Sequence, residues 1–108
     1  MTLTSYVRQV ILVSGRVLFG EWFVWDAAKA ALNPINHEGV TFPEAATVFN
    51  DPHYVLTPSP DGETVRAIGF SLAARVLTVV HAQQGERDRI ISAWVATPAE
   101  QKLYEKGG

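Results

Sequence analysis

A chain of 108 residues, 47% of them hydrophobic, is long enough to bury the core of one domain, which excludes a disordered polymer. Nine Lys and Arg against 11 Asp and Glu give a formal charge of −2, which argues against a surface that holds polyanions by overall charge excess. The absence of cysteine removes disulfides, thiolate metal sites and a cysteine nucleophile together.

The stretch from Tyr6 to Trp25 is apolar but is interrupted by Arg8, Gln9, Arg16 and Glu21. It therefore lacks the roughly 18 uninterrupted apolar residues of a membrane span. Its longest apolar run, Val10 to Val13, is also short for a signal peptide, so no membrane role and a cytoplasmic location are expected. The stretch predicts two strands, Tyr6–Val13 and Arg16–Trp25, reversing at Ser14-Gly15, where glycine supplies the positive φ of a tight turn. An edge hairpin of this kind is a template for strand addition by a second copy.

Asp26 caps a predicted helix over Ala27–Asn33, and Pro34 is expected to stop it. Thr41-Phe42-Pro43-Glu44 has capping-box spacing and predicts a helix over Phe42–Phe49, ended by Asn50-Asp51-Pro52. Strands are predicted at His53–Thr57, Thr64–Ser71, Arg75–His81 and Ile90–Val95, with a loop over Pro58–Gly62 and a hairpin loop at Gln83-Gln84-Gly85. Thr97-Pro98-Ala99-Glu100 starts a last helix that runs to about Lys106. Helices in one block and strands in another predict an α+β domain, an antiparallel sheet with helices on one face. With no repeat or linker, residues 1–108 form a single domain, residues 1–22 an extension and 23–106 the core.

The run Phe23-Val24-Trp25-Asp26-Ala27-Ala28-Lys29-Ala30, then Asn33, His37, Gly39-Val40, Phe42 and Glu44-Ala45, resembles the opening of the BrnT toxin family. The resemblance continues through Asp51-Pro52, Arg66-Ala67-Ile68-Gly69-Phe70-Ser71, Arg75-Val76-Leu77, Val79-Val80-His81 and Arg89-Ile90-Ile91-Ser92-Ala93 to about Glu105. It implies a RelE-like fold and a bacterial type II toxin that cuts RNA. It also implies a cognate antitoxin as protein partner, DNA binding being the antitoxin's property rather than this chain's.

Cleaving RNA without a metal needs a base for the 2′-hydroxyl, cations for the phosphate and an acid for the leaving oxygen. His37 matches the family's histidine and is the acid–base candidate; read alone, it is a loop histidine beside a glycine turn. Glu63 and Arg66, three apart, serve either as base and phosphate clamp or as a solvated ion pair. Arg75 and Arg89 complete a cationic patch with Arg66, or are ordinary strand-edge charges. His81 reads as a hydrogen-bonded core residue, Arg87 as a loop charge, and His53 has no evident partner. The three histidines lack metal-ligand spacing and there is no glycine-rich phosphate loop, so no metal or cofactor is assigned.

The chain also departs from the family pattern. Asn36 stands where the family carries Lys, Pro34 occupies a helical position, and Glu38 adds a carboxylate beside His37. Trp94 and Val95 replace basic residues, and the stretch before Phe23 is longer than in a typical member. A second reading follows, a protein-binding or self-associating module on the same fold. Phe70, Leu72 and Trp94 would point outward together, and period-2 spacing puts Ile90, Ser92 and Trp94 on one strand face. The opposing expectation is that Phe70 and Trp94 pack beneath a helix.

Overall fold

The computed structural model describes residues 10–107 apart from 14 and 21. The first strands are β1 (Val10–Val13), β2 (Arg16–Phe19) and β3 (Phe23–Asp26). Residues 6–9, 14 and 21 of the predicted hairpin lie outside the described residues. The single strand expected over 16–25 is two, because Gly20 takes a φ of 64° and turns the chain, so that β3 folds back antiparallel on β2.

Helix α1 (Ala27–Asn36) is capped by the Asp26 carboxylate, which accepts from the Lys29 amide at 2.9 Å. Pro34 does not stop it. Proline forfeits one amide donor, and the next turn closes around that loss through His37 N–H to Asn33 O and Gly39 N–H to Pro34 O, each 2.8 Å. Thr41 caps α2 (Phe42–Thr47), which tightens into a 3-10 turn at Val48–Asn50. Strands β4 (Val55–Pro58), β5 (Val65–Phe70), β6 (Val76–Gln84) and β7 (Arg87–Val95) follow. Gln83 and Gln84 belong to β6, so Gly85 and Glu86 alone make the turn expected to start at Gln83. Helix α3 (Pro98–Lys106) has the full capping box of Thr97 and Glu100, and ends on Gly107 at a φ of 81°.

The seven strands form one sheet in the order β1-β2-β3-β7-β6-β5-β4. The α+β class is as expected. Every pairing is antiparallel except β3 with β7, which run parallel from Phe23↔Asp88 to Trp25↔Ile90. Because β3 ends there, the β7 backbone beyond Ile90 has no strand on its β3 side among the described residues, and Asn33 takes that place. Its buried amide donates to Ala93 O and Val40 O, both at 2.8 Å, and accepts from Ala93 N–H at 3.3 Å. A side-chain amide thus supplies the donor and acceptor that a neighbouring strand would.

Helices flank both faces of the sheet, which corrects the expectation of one. Ala67, Leu77, Val79, Ile90 and Ala93 pack with Phe42, Ala45, Ala46 and Val48 of α2 and its 3-10 extension. Ile68, one residue after Ala67 and therefore on the opposite face, packs with Leu103 and Tyr104 of α3. Strand β7 changes register between Val80↔Ser92 and His81↔Ile90, leaving Ile91 unpaired. This bulge turns Ile90 to the α2 face, so Ile90 does not share a face with Ser92 and Trp94 as simple alternation predicts.

Candidate active site

The α3 face brings several of the candidate side chains together. Arg66 of β5 donates from Nη1 to Glu100 Oε2 at 3.0 Å. Glu100 Oε1 accepts from the Trp94 indole at 3.0 Å and from the Thr97 amide at 2.9 Å. The His37 imidazole lies against the Trp94 ring, with centroids 5.9 Å apart and planes at 47°. His37 and Arg66, 29 positions apart in sequence numbering, therefore stand at the two ends of one network, His37–Trp94–Glu100–Arg66. Burial pushes the Glu100 carboxyl up, but hydrogen bonds led by the Thr97 amide, and including the Trp94 indole, outweigh it and hold the group below its usual value. Glu100 is thus a buried carboxylate that remains charged and anchors Arg66.

Arg89 joins this face by register. It lies opposite Ala82, beside the Ile90↔His81 pair that faces α2, so strand alternation turns it to the α3 side with Arg66. Arg87 follows the same alternation, as a strand residue rather than the loop charge expected.

Arg75 and Glu63 do not join them. Arg75 precedes Val76 and faces α2, where Nη2 and Nε bond the two Glu44 oxygens at 2.7 and 2.9 Å and Nη1 reaches Glu38 O at 3.2 Å. Ser71 Oγ adds 2.7 Å to the same carboxylate. The Arg75 hydrogen bonds hold Glu44 below the usual carboxylate range against the opposing effect of burial, and Glu44 in turn raises Arg75. This corrects the expected patch of Arg66, Arg75 and Arg89: a bidentate pair ties Arg75 to α2 instead. The same pair explains why only half of the Thr41–Glu44 capping box forms: Thr41 accepts from the Glu44 amide at 3.1 Å, while the Glu44 carboxylate goes to Arg75. Glu63 is exposed in the loop before β5, and the ion-pair partner of Arg66 is Glu100, not Glu63.

His81 is the core residue expected, buried and with Nδ1 2.8 Å from Asp88 Oδ1. His53 is exposed in a turn. Among the described residues no group of three or more His, Asp or Glu is arranged to hold a metal ion, and no helix is long and apolar enough to cross a membrane. Trp94 is half-buried with its indole turned to α3, so it packs at a helix as the opposing expectation held. Phe70 and Leu72 do face solvent, at 48% and 79% exposure. The contact of Glu100 with Arg66 spans 34 positions and leaves no local signal in the sequence.

The family model of the ribonuclease toxin BrnT, of type II toxin–antitoxin systems, matches residues 25–100. The chain belongs to the BrnT family. That match covers α1, α2, the β4–β7 meander and Glu100, and so contains the whole His37–Arg66 network. No curated protein matches the chain. Membership in a family of type II ribonuclease toxins implies RNA as the substrate and an antitoxin as the partner.

Proposed function

We propose that this BrnT-family chain is a metal-independent endoribonuclease whose site lies on the α3 face, with His37 as proton carrier and Arg66 as phosphate anchor. The observation that carries the reading is the continuous contact from His37 through Trp94 and Glu100 to Arg66. His37 takes the proton of a ribose 2′-hydroxyl, and that oxygen attacks the adjacent phosphorus. The bond from phosphorus to the 5′-oxygen breaks, leaving a 2′,3′-cyclic phosphate; the 5′-oxygen takes a proton from water, and the resulting hydroxide takes back the proton held by His37. Arg66, with Arg89 on the same face, stabilises the charge gathered on the phosphate during this exchange. The reading leaves out Arg75, which is bonded to Glu44, and Glu63, which is exposed in the loop before β5.

The reading is tested by cleavage of single-stranded RNA in excess chelator. Persistent cleavage that yields cyclic phosphate ends supports it, and cleavage abolished by chelation overturns the metal-free route.

A second reading has its own support. Both Arg66 and Arg75 are matched by carboxylates, and Phe70 and Leu72 are exposed beside each other in the chain. On this reading the chain acts by protein association, with the antitoxin or with a second copy added at the β1 edge, and has no ribonuclease activity. A monomer that cuts RNA excludes it.

A further inference from the structure

On the face opposite the His37 network, at the strand ends where β3, β6 and β7 meet, a cleft of about 440 Å³ is lined by Trp22, Phe23, Phe49, Gln83, Glu86 and Asp88, among others. Its walls are aromatic. Phe23 and Phe49 lie with centroids 5.4 Å apart, and Phe49 is held edge-on by His81 at 5.0 Å and by Tyr54 at 5.3 Å. Trp22 is 65% exposed at the mouth, where its ring can stack on a flat occupant.

The polar rim combines the Glu86 and Asp88 carboxylates with the Asn50 and Gln83 amides. Gln83 Nε2 donates one hydrogen to Gly85 O at 2.8 Å, which leaves its second N–H and its carbonyl oxygen. Asp88 is fixed from two sides. Its amide donates to Trp22 O at 2.7 Å, and its Oδ1 meets His81 Nδ1 at 2.8 Å, so Oδ2 is left for another donor. His81 Nε2 is buried without a partner, so Asp88 is the one polar contact of that ring among the described residues. Glu86 stands exposed at the turn beside them. Among the described residues no cation lines the cleft, which argues against a bare phosphate as its occupant.

An occupant matched to aromatic walls and to two carboxylates is flat, aromatic and presents donors to Glu86 and Asp88. Among the four RNA bases, only guanine carries two adjacent donors on one edge, N1–H and the N2 amino group, the pattern a carboxylate accepts with both oxygens. Adenine and cytosine each set an acceptor beside their amino group, and uracil sets its single donor between two carbonyls. We propose that this cleft binds an unpaired guanine, stacked on Trp22 and the Phe23–Phe49 wall and read by the Glu86 and Asp88 carboxylates. The link to substrate choice rests on the ribonuclease reading above; the binding itself does not.

The test is a titration of the full chain with each of the four nucleoside 5′-monophosphates, followed by tryptophan fluorescence. GMP is expected to bind about tenfold or more tightly than the other three, in line with the discrimination of a two-point base contact. Glu86→Gln and Asp88→Asn are expected to remove most of that preference, and Trp22→Ala to weaken all four nucleotides together. Glu86 is exposed, so its variant keeps the fold even where Asp88→Asn disturbs His81. Equal affinity for the four nucleotides, or a GMP preference untouched by Glu86→Gln, overturns the proposal. GMP selectivity in a chain that fails to cut RNA contradicts the ribonuclease reading alone. Cleavage without GMP selectivity contradicts the guanine cleft alone.

Discussion

Arg66 and Glu100 meet at 3.0 Å across a gap of 34 positions, so the guanidinium assigned to the RNA phosphate already faces a buried carboxylate. The pair has two consequences. Glu100 orients Arg66 while also closing the capping box of α3, and it lowers the positive potential that RNA would meet. Net charge alone, at −2, shows neither effect.

Replacing Glu100 by Gln separates them. The variant keeps the shape of the cap but leaves Arg66 uncompensated. RNA binding measured by fluorescence anisotropy across a salt series is expected to tighten at low salt, with the log–log slope steeper by roughly 0.7 as one more phosphate is neutralised. The melting temperature is expected to fall as α3 loses its charged cap. An unchanged salt slope contradicts the neutralising role of Glu100.

Acid should loosen the molecule through its depressed carboxyls. Glu44 is lowered chiefly by the Arg75 hydrogen bonds, and Glu100 is lowered despite burial by its amide and indole donors. A carboxyl depressed in the folded state adds stability that is full above its unfolded value, 4.5 for these glutamates, and is lost as pH falls below that value through the folded one. Urea midpoints are therefore expected to hold from neutrality to about pH 5 and then drop steeply. Glu44→Gln is expected to lower the plateau by about 1–3 kcal/mol and to flatten the drop.

Asn33→Ala is expected to be among the most damaging substitutions outside the apolar core. It leaves the Ala93 amide and carbonyl and the Val40 carbonyl without the partner they now have. A loss of about 2–4 kcal/mol is expected in chemical denaturation, from buried groups left unpaired. A loss under about 0.5 kcal/mol, the level of an ordinary surface change, contradicts the edge-pairing role.

How far the sequence exposes this arrangement depends on how local the information is. The Thr97 and Asp26 caps and the alternating strands of the β4–β7 region are visible because each needs only neighbours within a few residues. Pro34 misleads for the same reason: its cost is local, whereas the bonds that carry α1 past it form with the turn that follows. The parallel β3–β7 pairing joins segments more than 60 positions apart, and Asn33 serves as its continuation, so neither leaves a pattern in one window. Glu100 is read as a cap, and Trp94 as either an outward aromatic or one packed beneath a helix, until the sheet brings Arg66 to one and His37 to the other. The bulge at Ile91 is what defeats period-2 counting along β7.

Gly69 marks where β5 passes closest to the 3-10 turn. A Cβ there would stand 2.8 Å from Tyr54 Cβ and 2.9 Å from Val48 Cγ1, neither of which is the far end of a flexible chain. Gly69→Ala is expected to cost about 1–3 kcal/mol by overpacking, seen as a lower urea midpoint. Unchanged stability would show that the strand can shift away from the turn.

The central claim is that His37 and Arg66 form one site through Trp94 and Glu100. The most direct test is the cleavage rate of a labelled single-stranded RNA by the purified chain, compared with His37→Ala and Arg66→Ala variants whose folding is checked by circular dichroism. Each variant is expected to lose about 100-fold or more in rate while remaining folded, the scale of removing one group that acts on the transition state. Full-rate cleavage by both folded variants would contradict the account.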